Sequence, residues 1–174
     1  LTLDPSPTLQ PASPEATPTG THVSDETSNG CQVTAASSKA VARLIGLLNR
    51  HRAAEGVRPL MLNASLSNGA RIHSCDMFLH QQLNHGGSDG STPFERMGAA
   101  GFTLPPYNQE GENVGMTGGQ LAPAAVALLD GMMMAEPPAA GNHRWNIVNG
   151  GYSLVGLGVI AANGQTWLTE DFAG

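Results

Sequence analysis

Two of the six histidines in this sequence are placed where a side chain can do chemistry. His85 opens the run His-Gly-Gly-Ser-Asp-Gly, and His143 lies in Gly-Asn-His-Arg-Trp-Asn-Ile. Both runs are expected to be non-helical and to expose the imidazole in a cleft. An imidazole titrates near neutral pH, so it can act as a general acid or base, and its neutral nitrogen can bind a metal ion. A loop histidine that only makes hydrogen bonds is the alternative for each.

The other four histidines have simpler explanations. His22 lies in an N-terminal tail, and His51 lies on the first predicted helix, where a solvated or capping side chain is expected. His73 and His80 are seven residues apart, which puts them on one face of a helix. We expect both to be partly buried structural groups.

No nucleophile accompanies the two candidate histidines. The sequence contains neither Gly-x-Ser-x-Gly nor a Cys-His-Asn arrangement, and Cys75 falls in the middle of a predicted helix. Ser88 and Ser91 lie close to His85, but turn formation accounts for them equally well. Asp89 is a single carboxylate, far short of the roughly six to eight oxygen ligands that calcium takes.

Four helices are predicted to position these residues. The signals are apolar side chains at helical spacing, capping residues, and glycine or proline stops. They place helices over residues 38–54, from an Asn63 cap to about residue 82, from a Thr92-Pro93-Phe94-Glu95 capping box up to Gly101, and over residues 123–134. The three methionines at 132–134 are expected in the core, with an exposed apolar surface for a ligand as the alternative.

The C-terminal part of the chain is predicted to be β-structure. Residues 152–162 and 165–172 flank Asn163-Gly164, the strongest short signal for a hairpin turn. Gly156 and Gly158 lie inside the first strand, where another backbone is expected to approach closely. A further short strand includes residues 112–114. Helices first and a hairpin last indicate an α+β domain with helices covering an antiparallel sheet.

Composition divides the chain and excludes some partners. Residues 1–35 alternate proline with serine and threonine, so we expect a disordered linker, followed by one domain over residues 36–174. The net charge of −6, with only 8 Lys and Arg, argues against nucleic acid and against an anionic membrane surface. No apolar stretch approaches the ~18 residues that span a membrane. Cys31 and Cys75 either pair in an oxidising compartment or remain separate thiols.

Several blocks of the sequence resemble bacterial members of the CAP superfamily, which includes cysteine-rich secretory proteins, antigen 5 and pathogenesis-related proteins. They occur in the family order and cover nearly all of residues 40–174. The blocks are Asn49-Arg50-x-Arg52-x-x-x-Gly56-x-x-Pro59-Leu60, Ala70 with Met77, Asn84-His85, the run from Gly90 to Arg96 with Gly101-Phe102, Gly111-Glu112-Asn113-Val114, His143-Arg144-x-Asn146-Ile147, the run from Val155 to Val159, Trp167, and Asp171-Phe172.

The resemblance implies a secreted or cell-surface protein with a three-layer α-β-α sandwich around a central antiparallel sheet. It also implies a cleft of two histidines and two glutamates, which holds a divalent metal in some relatives. Carried over by position, the histidines are His85 and His143, and the first glutamate is Glu112. The second should lie at the end of the fourth helix, where Glu136 is the nearby candidate.

Such a cleft could do two kinds of chemistry. His85 and His143 could hold a divalent metal, zinc being the expected one, although catalytic zinc sites usually have about three protein ligands. Alternatively, Glu112 could orient or charge a histidine and form an acid/base pair. Arg96 and Arg144 are expected to be structural donors to carboxylates or carbonyls rather than substrate clamps.

The leading hypothesis for function is a non-enzymatic extracellular module that binds a lipid, a peptide or a cell-surface ligand. A His/Glu cleft without a nucleophile and a stalk-like tail favour this hypothesis. One alternative is a metal-dependent extracellular hydrolase that uses His85, Glu112 and His143. A second is a structural or interaction domain whose histidines are only hydrogen-bonded. The oligomeric state stays open.

Overall fold

The computed structural model describes residues 31–103 and 109–174. The helices in this part of the chain are α1 (Ala35–Ala54), α2 (Ala64–His80), α3 (Pro93–Ala99), α4 (Ala122–Met134) and α5 (His143–Val148). The strands are β1 (Met61–Leu62), β2 (Glu110–Gly118), β3 (Leu154–Ala162) and β4 (Gln165–Ala173). No helix of these described residues is long and apolar enough to cross a membrane.

The strands form one sheet in the order β1-β3-β4-β2. Strands β3 and β4 are the predicted hairpin, and Asn163 and Gly164 at its turn both have positive φ, 51° and 74°. An Asn-Gly pair adopts this conformation at low cost, so the turn prediction is confirmed. Strand β2 is antiparallel to β4, whereas the two-residue β1 adds a short parallel pairing to β3.

Helices cover both faces of the sheet. Helix α2 packs on β3 and β4 from one side, and α1, α4 and α5 pack on the sheet from the other. Side chains of β3 alternate between the two layers: Val155, Leu157 and Val159 join the core with α1 and α4, whereas Ile160 joins Met77 of α2. The predicted three-layer α-β-α sandwich is therefore confirmed.

Two glycines of β3 let α2 approach the sheet closely. A Cβ atom on Gly156 would lie 2.1 Å from the carbonyl carbon of Leu66, and one on Gly158 would lie 2.2 Å from that of Ala70. No side chain fits at these distances, so the prediction of a close backbone approach is confirmed. This contact also sets the distance between α2 and the sheet, and the loop that follows α2 carries His85.

A disulfide bond joins Cys31 to Cys75 on α2, with 5.4 Å between the two Cα atoms. Cys31 is buried, and Thr34 caps α1 by accepting a hydrogen bond from the Ser37 backbone N–H. Residues 31–35 therefore pack against the domain ahead of its predicted start at residue 36. The rest of the predicted linker, residues 1–30, lies outside the described residues.

Arg52 holds the segment that follows α5. Its guanidinium is fully buried and donates to the carbonyl oxygens of Arg58, Ile147, Asn149 and Tyr152 at 2.7–2.9 Å. A helix of six residues is too short to be stable alone, so α5 depends on such contacts. The sequence pattern therefore did not predict α5, and it did not predict the two-residue β1 either.

Candidate functional site

His85 lies in a loop that two neighbouring side chains hold in place. Asp76 on α2 accepts hydrogen bonds from the backbone N–H and the hydroxyl of Ser88, at 2.8 and 2.5 Å. Arg96 on α3 donates to the carbonyl oxygens of His85 and Ser91, both at 2.9 Å. The glycine-rich turn is therefore tied to α2 at one point and to α3 at two.

Helix α3 places Arg96 by local capping. Thr92 and Glu95 form the predicted capping box, with Pro93 in the first turn, so this part of the sequence prediction is confirmed. Arg96 then projects from the second turn onto the end of β2, and its side chain is 9% exposed. The expectation that Arg96 is a structural donor is confirmed by its bonds to two carbonyls and one carboxylate.

Glu112 on β2 joins His85 to Arg96. Its Oε1 atom lies 2.8 Å from His85 Nδ1, and its Oε2 atom lies 2.7 Å from Arg96 Nη2. The carboxylate is 2% exposed, so both contacts act across a poorly solvated site. The hydrogen bond that His85 donates to Glu112 raises the pKa of His85, and the negative charge of Glu112 adds to that effect.

His143 and Glu136 form a second pair of the same kind. His143 Nδ1 lies 2.5 Å from Glu136 Oε1, and the His143 backbone N–H donates to Glu136 Oε2 at 3.0 Å. Burial opposes ionisation of Glu136, but the bonds to His143 outweigh it and lower the pKa of this carboxyl. Glu136, which the sequence analysis named as the second glutamate, thus lies beside the expected histidine.

His143 is the first residue of α5, so the expectation of a non-helical setting is wrong for this histidine. Asn142 caps the helix by accepting from the Trp145 backbone N–H at 2.9 Å. The helix is short and follows a glycine, which is why the pattern favoured a loop. Arg144, next to it, pairs with Glu55 at 3.1 Å, as expected of a structural donor.

One cavity of about 350 Å³ brings the four predicted cleft residues together. His85, Glu112, Glu136 and His143 line it together with Asn113, Pro137, Gly141, Asn142 and Asn146. A cavity of about 360 Å³ between α1 and α2 has neither a histidine nor a carboxylate in its lining. We therefore take the His/Glu cavity, called the cleft from here on, as the candidate functional site.

Two asparagines that sequence reasoning did not assign connect the cleft to the core. Asn146 Nδ2 donates to Asn113 Oδ1 at 2.8 Å and to the Glu112 carbonyl at 3.3 Å. Asn113 Nδ2 donates to the His143 carbonyl at 3.2 Å and to Glu170 Oε2 at 2.9 Å. Both asparagines belong to sequence blocks that carried the family resemblance, which was the available signal.

Two buried carboxyl groups lie beneath the cleft. Glu170 is fully buried, and burial raises its pKa to about 8 although Asn113 donates to it. Burial also raises the pKa of Asp171 well above its usual value, and the charge of nearby Glu112 adds to the effect. Near neutral pH Glu170 therefore keeps its proton, and burial disfavours the charged form of Asp171 as well.

The remaining histidines differ from expectation in two cases. His73 is fully buried and lies 2.8 Å from the Asn84 carbonyl, and burial lowers its pKa, as suits a structural group. The expectation that His80 is partly buried is wrong, because its side chain is 53% exposed near Asp76. His51 is not merely solvated: its Nε2 atom lies 2.9 Å from the buried Asp130 on α4.

The donors in the cleft do not form a ready metal site. Both oxygens of Glu112 and both oxygens of Glu136 already accept hydrogen bonds. The two imidazoles use Nδ1 for these contacts, so only their Nε2 atoms are left as ligands. Within residues 31–103 and 109–174, no group of three or more His, Cys, Asp or Glu is arranged to hold a metal ion.

The model of the CAP family, described as the cysteine-rich secretory protein family, matches residues 45–172. The chain belongs to the CAP family. The match begins inside α1 and ends inside β4, so it contains both histidine–carboxylate pairs.

Similar proteins include a bacterial relative and solved structures with the same fold. The chain is 30% identical to the uncharacterized protein YkwD of Bacillus subtilis over 132 residues, 76% of this chain and 46% of YkwD. It thus spans about half the length of this curated relative. An extracellular SCP-domain protein of Bacillus anthracis has a TM-score of 0.62 at 21% identity, over 78% of this chain and 40% of that one. NaASP2 with Zn2+ has a TM-score of 0.55 at 15% identity, over 82% and 83%.

Proposed function

We propose that this CAP domain is an extracellular binding module whose cleft holds a polar ligand group between His85 and His143. One observation supports the proposal most strongly: each imidazole gives its Nδ1 atom to a carboxylate. Such a contact fixes the tautomer and the orientation of the ring. In the described part of the chain neither Nε2 atom has a hydrogen-bond partner, so both are available to a ligand.

The lining of the cleft favours a polar ligand over an acyl chain. Apart from Pro137 and Gly141, every lining residue is a histidine, a glutamate or an asparagine. An apolar chain would desolvate these groups without replacing their hydrogen bonds, which is costly. Of the ligand classes expected from the sequence, a peptide or the polar part of a cell-surface component therefore fits better than a lipid.

The same lining argues for binding without turnover. It includes no serine, threonine or cysteine that could act as a nucleophile, and both cysteines of the chain are in the disulfide. His85 and His143 are fixed by carboxylates, but no described residue that lines the cleft offers them a hydroxyl or thiol to activate. A hydrolase would need a water as the attacking group instead, activated by a histidine or by a metal ion.

A metal-dependent hydrolase is the second candidate, since a histidine held by a carboxylate through Nδ1 is also the usual arrangement of a metal ligand. NaASP2 was crystallised with Zn2+. Among the described residues of the cleft, the free donors are two imidazole nitrogens, fewer than the roughly three protein ligands of a catalytic zinc. The donor set therefore supports weak zinc binding at most, and a tight catalytic site does not fit.

The Cys31–Cys75 disulfide supports the extracellular part of the proposal. Disulfides persist in oxidising compartments and are rare in reducing ones. The net charge of −6 is compatible with a freely diffusing or surface-presented domain that avoids anionic lipid.

The test compares three proteins: the wild-type chain, a His85→Ala/His143→Ala double variant, and a His80→Ala control, whose histidine is exposed outside the cleft. Each is titrated against an array of synthetic peptides and against purified cell-wall sacculi. Zinc binding is measured by calorimetry, and hydrolysis of peptide, ester and cell-wall substrates is followed with and without zinc.

Binding that is lost in the double variant and kept in His80→Ala, without turnover, supports the binding module. Equal binding by wild type and the double variant would contradict it. Turnover that depends on zinc and disappears in the double variant would establish the hydrolase instead. If no zinc binds at concentrations below about 1 mM, the hypothesis of a metal-dependent hydrolase is rejected.

A further inference from the structure

Strand β2 lies at the edge of the sheet, and among the described residues the half of this edge farther from α5 has no backbone partner on its outer side. Gln109 and Gly174 exchange both backbone hydrogen bonds, and Gly119 donates to the Gly164 carbonyl at the other end of the strand. In an antiparallel ladder such pairs alternate with pairs that make no bonds to each other. The odd residues of β2 therefore bond to β4, and the even residues direct their N–H and C=O groups away from the sheet.

The first outward-facing groups of β2 already have partners. The Glu110 carbonyl accepts from the Tyr152 hydroxyl at 2.8 Å, and the Glu112 carbonyl accepts from Asn146 Nδ2 at 3.3 Å. Beyond this point, no described residue hydrogen-bonds to the outward backbone groups of Val114 or Met116. The part of the edge without these partners therefore begins next to the cleft, which Glu112 and Asn146 line. It becomes solvent-exposed from Met116 onward, since Val114 is 7% exposed and Met116 is 39% exposed.

Helix α4 forms an apolar wall above this open edge. Leu129 and Met133 face β2, since a Cβ atom on Gly115 would lie 3.2 Å from each of their side chains. Successive helical residues are rotated by about 100°, so the neighbours of Leu129 point to opposite flanks. Asp130 meets His51 on α1, and Leu128 therefore points to the flank away from α1, beyond β2.

The outer flank of α4 is exposed and apolar. Leu128 is 40% exposed, and Met132, one turn later, is 61% exposed. The next turn brings the chain to Glu136 in the cleft. The sequence-based expectation of a core role thus holds for Met133, whereas Met132 matches the alternative of an exposed apolar surface.

We propose that the groove between the β2 edge and the outer flank of α4 binds an extended peptide, which pairs with residues 116–118 as an added strand and continues toward the cleft. Free N–H and C=O groups of an edge strand are complementary to another extended backbone. Alternate apolar side chains of that strand would cover Leu128 and Met132. Neither β2 nor α4 contains a lysine or an arginine, so a neutral or basic peptide is favoured over an acidic one.

This inference rests on the proposed binding function, because it names the class of ligand that enters the cleft. Binding in the groove can, however, be tested separately from binding in the cleft. The cleft acts through imidazoles, whereas the groove acts through the backbone of Met116 and the side chains of Leu128 and Met132.

The probe is an acetylated octapeptide of alternating valine and threonine with a lysine at each end. Two further peptides are N-methylated, one at every valine and the other at every threonine. Because alternate amides point to opposite edges of an extended strand, each of these peptides can still form hydrogen bonds along one edge only. Met116→Pro removes an outward N–H while leaving the ladder to β4 intact, and Met116→Ala removes the side chain alone. Fluorescence anisotropy gives the affinities, and circular dichroism checks the fold.

We expect the unmodified peptide to bind, one N-methylated set to lose at least about tenfold in affinity, and the other to bind nearly as well. Met116→Pro should weaken binding by about tenfold, and Met116→Ala by much less. If Met116→Pro does not fold, the surface variant Leu128→Lys/Met132→Lys replaces it, with Leu79→Lys on exposed α2 surface as the control.

Three results would overturn the inference: no binding at about 1 mM peptide, equal loss with both N-methylated sets, or a dimer in light scattering that Met116→Pro abolishes. The dimer would mean that a second copy of the chain occupies the edge. If Met116→Pro abolishes peptide binding and His85→Ala/His143→Ala does not, peptide binding in the groove is supported and the proposed role of the cleft is rejected. The reverse result supports binding in the cleft and rejects binding in the groove.

Discussion

Replacing Arg96 with methionine should destabilise the CAP domain by about 3–5 kcal/mol, because it leaves a buried carboxylate without its cation. Arg96 and Glu112 are 9% and 2% exposed and lie 2.7 Å apart. The substitution also removes the two bonds that hold the His85 loop. Methionine keeps most of the apolar stem, so lost packing contributes little.

The chain contains a matched control for this prediction. Arg144 and Glu55 lie 3.1 Å apart, but their side chains are 27% and 46% exposed. Solvent screens such a pair, so Arg144→Met should cost less than about 1 kcal/mol. The free energy of unfolding of each variant is measured by urea denaturation at pH 7, with the m-value checked for constancy.

A double-mutant cycle then separates the ion pair from the carbonyl contacts. In a Glu112→Gln background no charge is left unpaired, so Arg96→Met should cost at least about 1.5 kcal/mol less than in the wild type. If the two substitutions are additive within about 0.5 kcal/mol, Glu112 does not depend on Arg96. That result, or equal costs for Arg96→Met and Arg144→Met, would refute the electrostatic account of the site.

Three further predictions concern the rest of the domain. Reducing the Cys31–Cys75 disulfide should cost about 4 kcal/mol, because it releases a loop closed over a sequence separation of 44 residues; urea unfolding with and without reductant measures this, and a loss below about 1 kcal/mol would contradict it. Glu170→Gln should stabilise the protein more at pH 8 than at pH 5. The pKa of Glu170 is raised by burial from 4.5 to about 8, so the folded state keeps a proton that the unfolded state loses and stability falls as pH rises through this window. Glutamine cannot ionise, and an equal effect at both pH values would disprove the assignment. Gly158→Ala should cost about 1–3 kcal/mol, since its Cβ atom would lie 2.2 Å from the backbone of α2, whereas Gly131→Ala on exposed α4 surface should be neutral or stabilising in thermal unfolding.

Short-range signals in the sequence predicted much of the fold correctly. The Thr92–Glu95 capping box, the Asn63 cap and the Asn163-Gly164 turn each depend on contacts within about four residues, so the local sequence is sufficient to predict them. Element bounds shifted by a few residues at most helix ends. The largest change in bounds was β2, predicted as a short strand that includes residues 112–114 and observed over Glu110–Gly118, because its glycines and polar residues interrupt the apolar pattern.

The sequence by itself determined the domain type and pointed to His85, Glu112 and His143 as cleft residues, since their motifs are local strings that resemble the CAP family. Only the tertiary structure decided what those residues contact. Arg96 reaches Glu112 because α3 lies against the end of β2, and α5 exists because buried contacts stabilise a helix too short to form alone. The edge position of β2 in the described sheet is likewise a property of strand order, which depends on the packing of the whole sheet and has no counterpart in the pattern of any one segment.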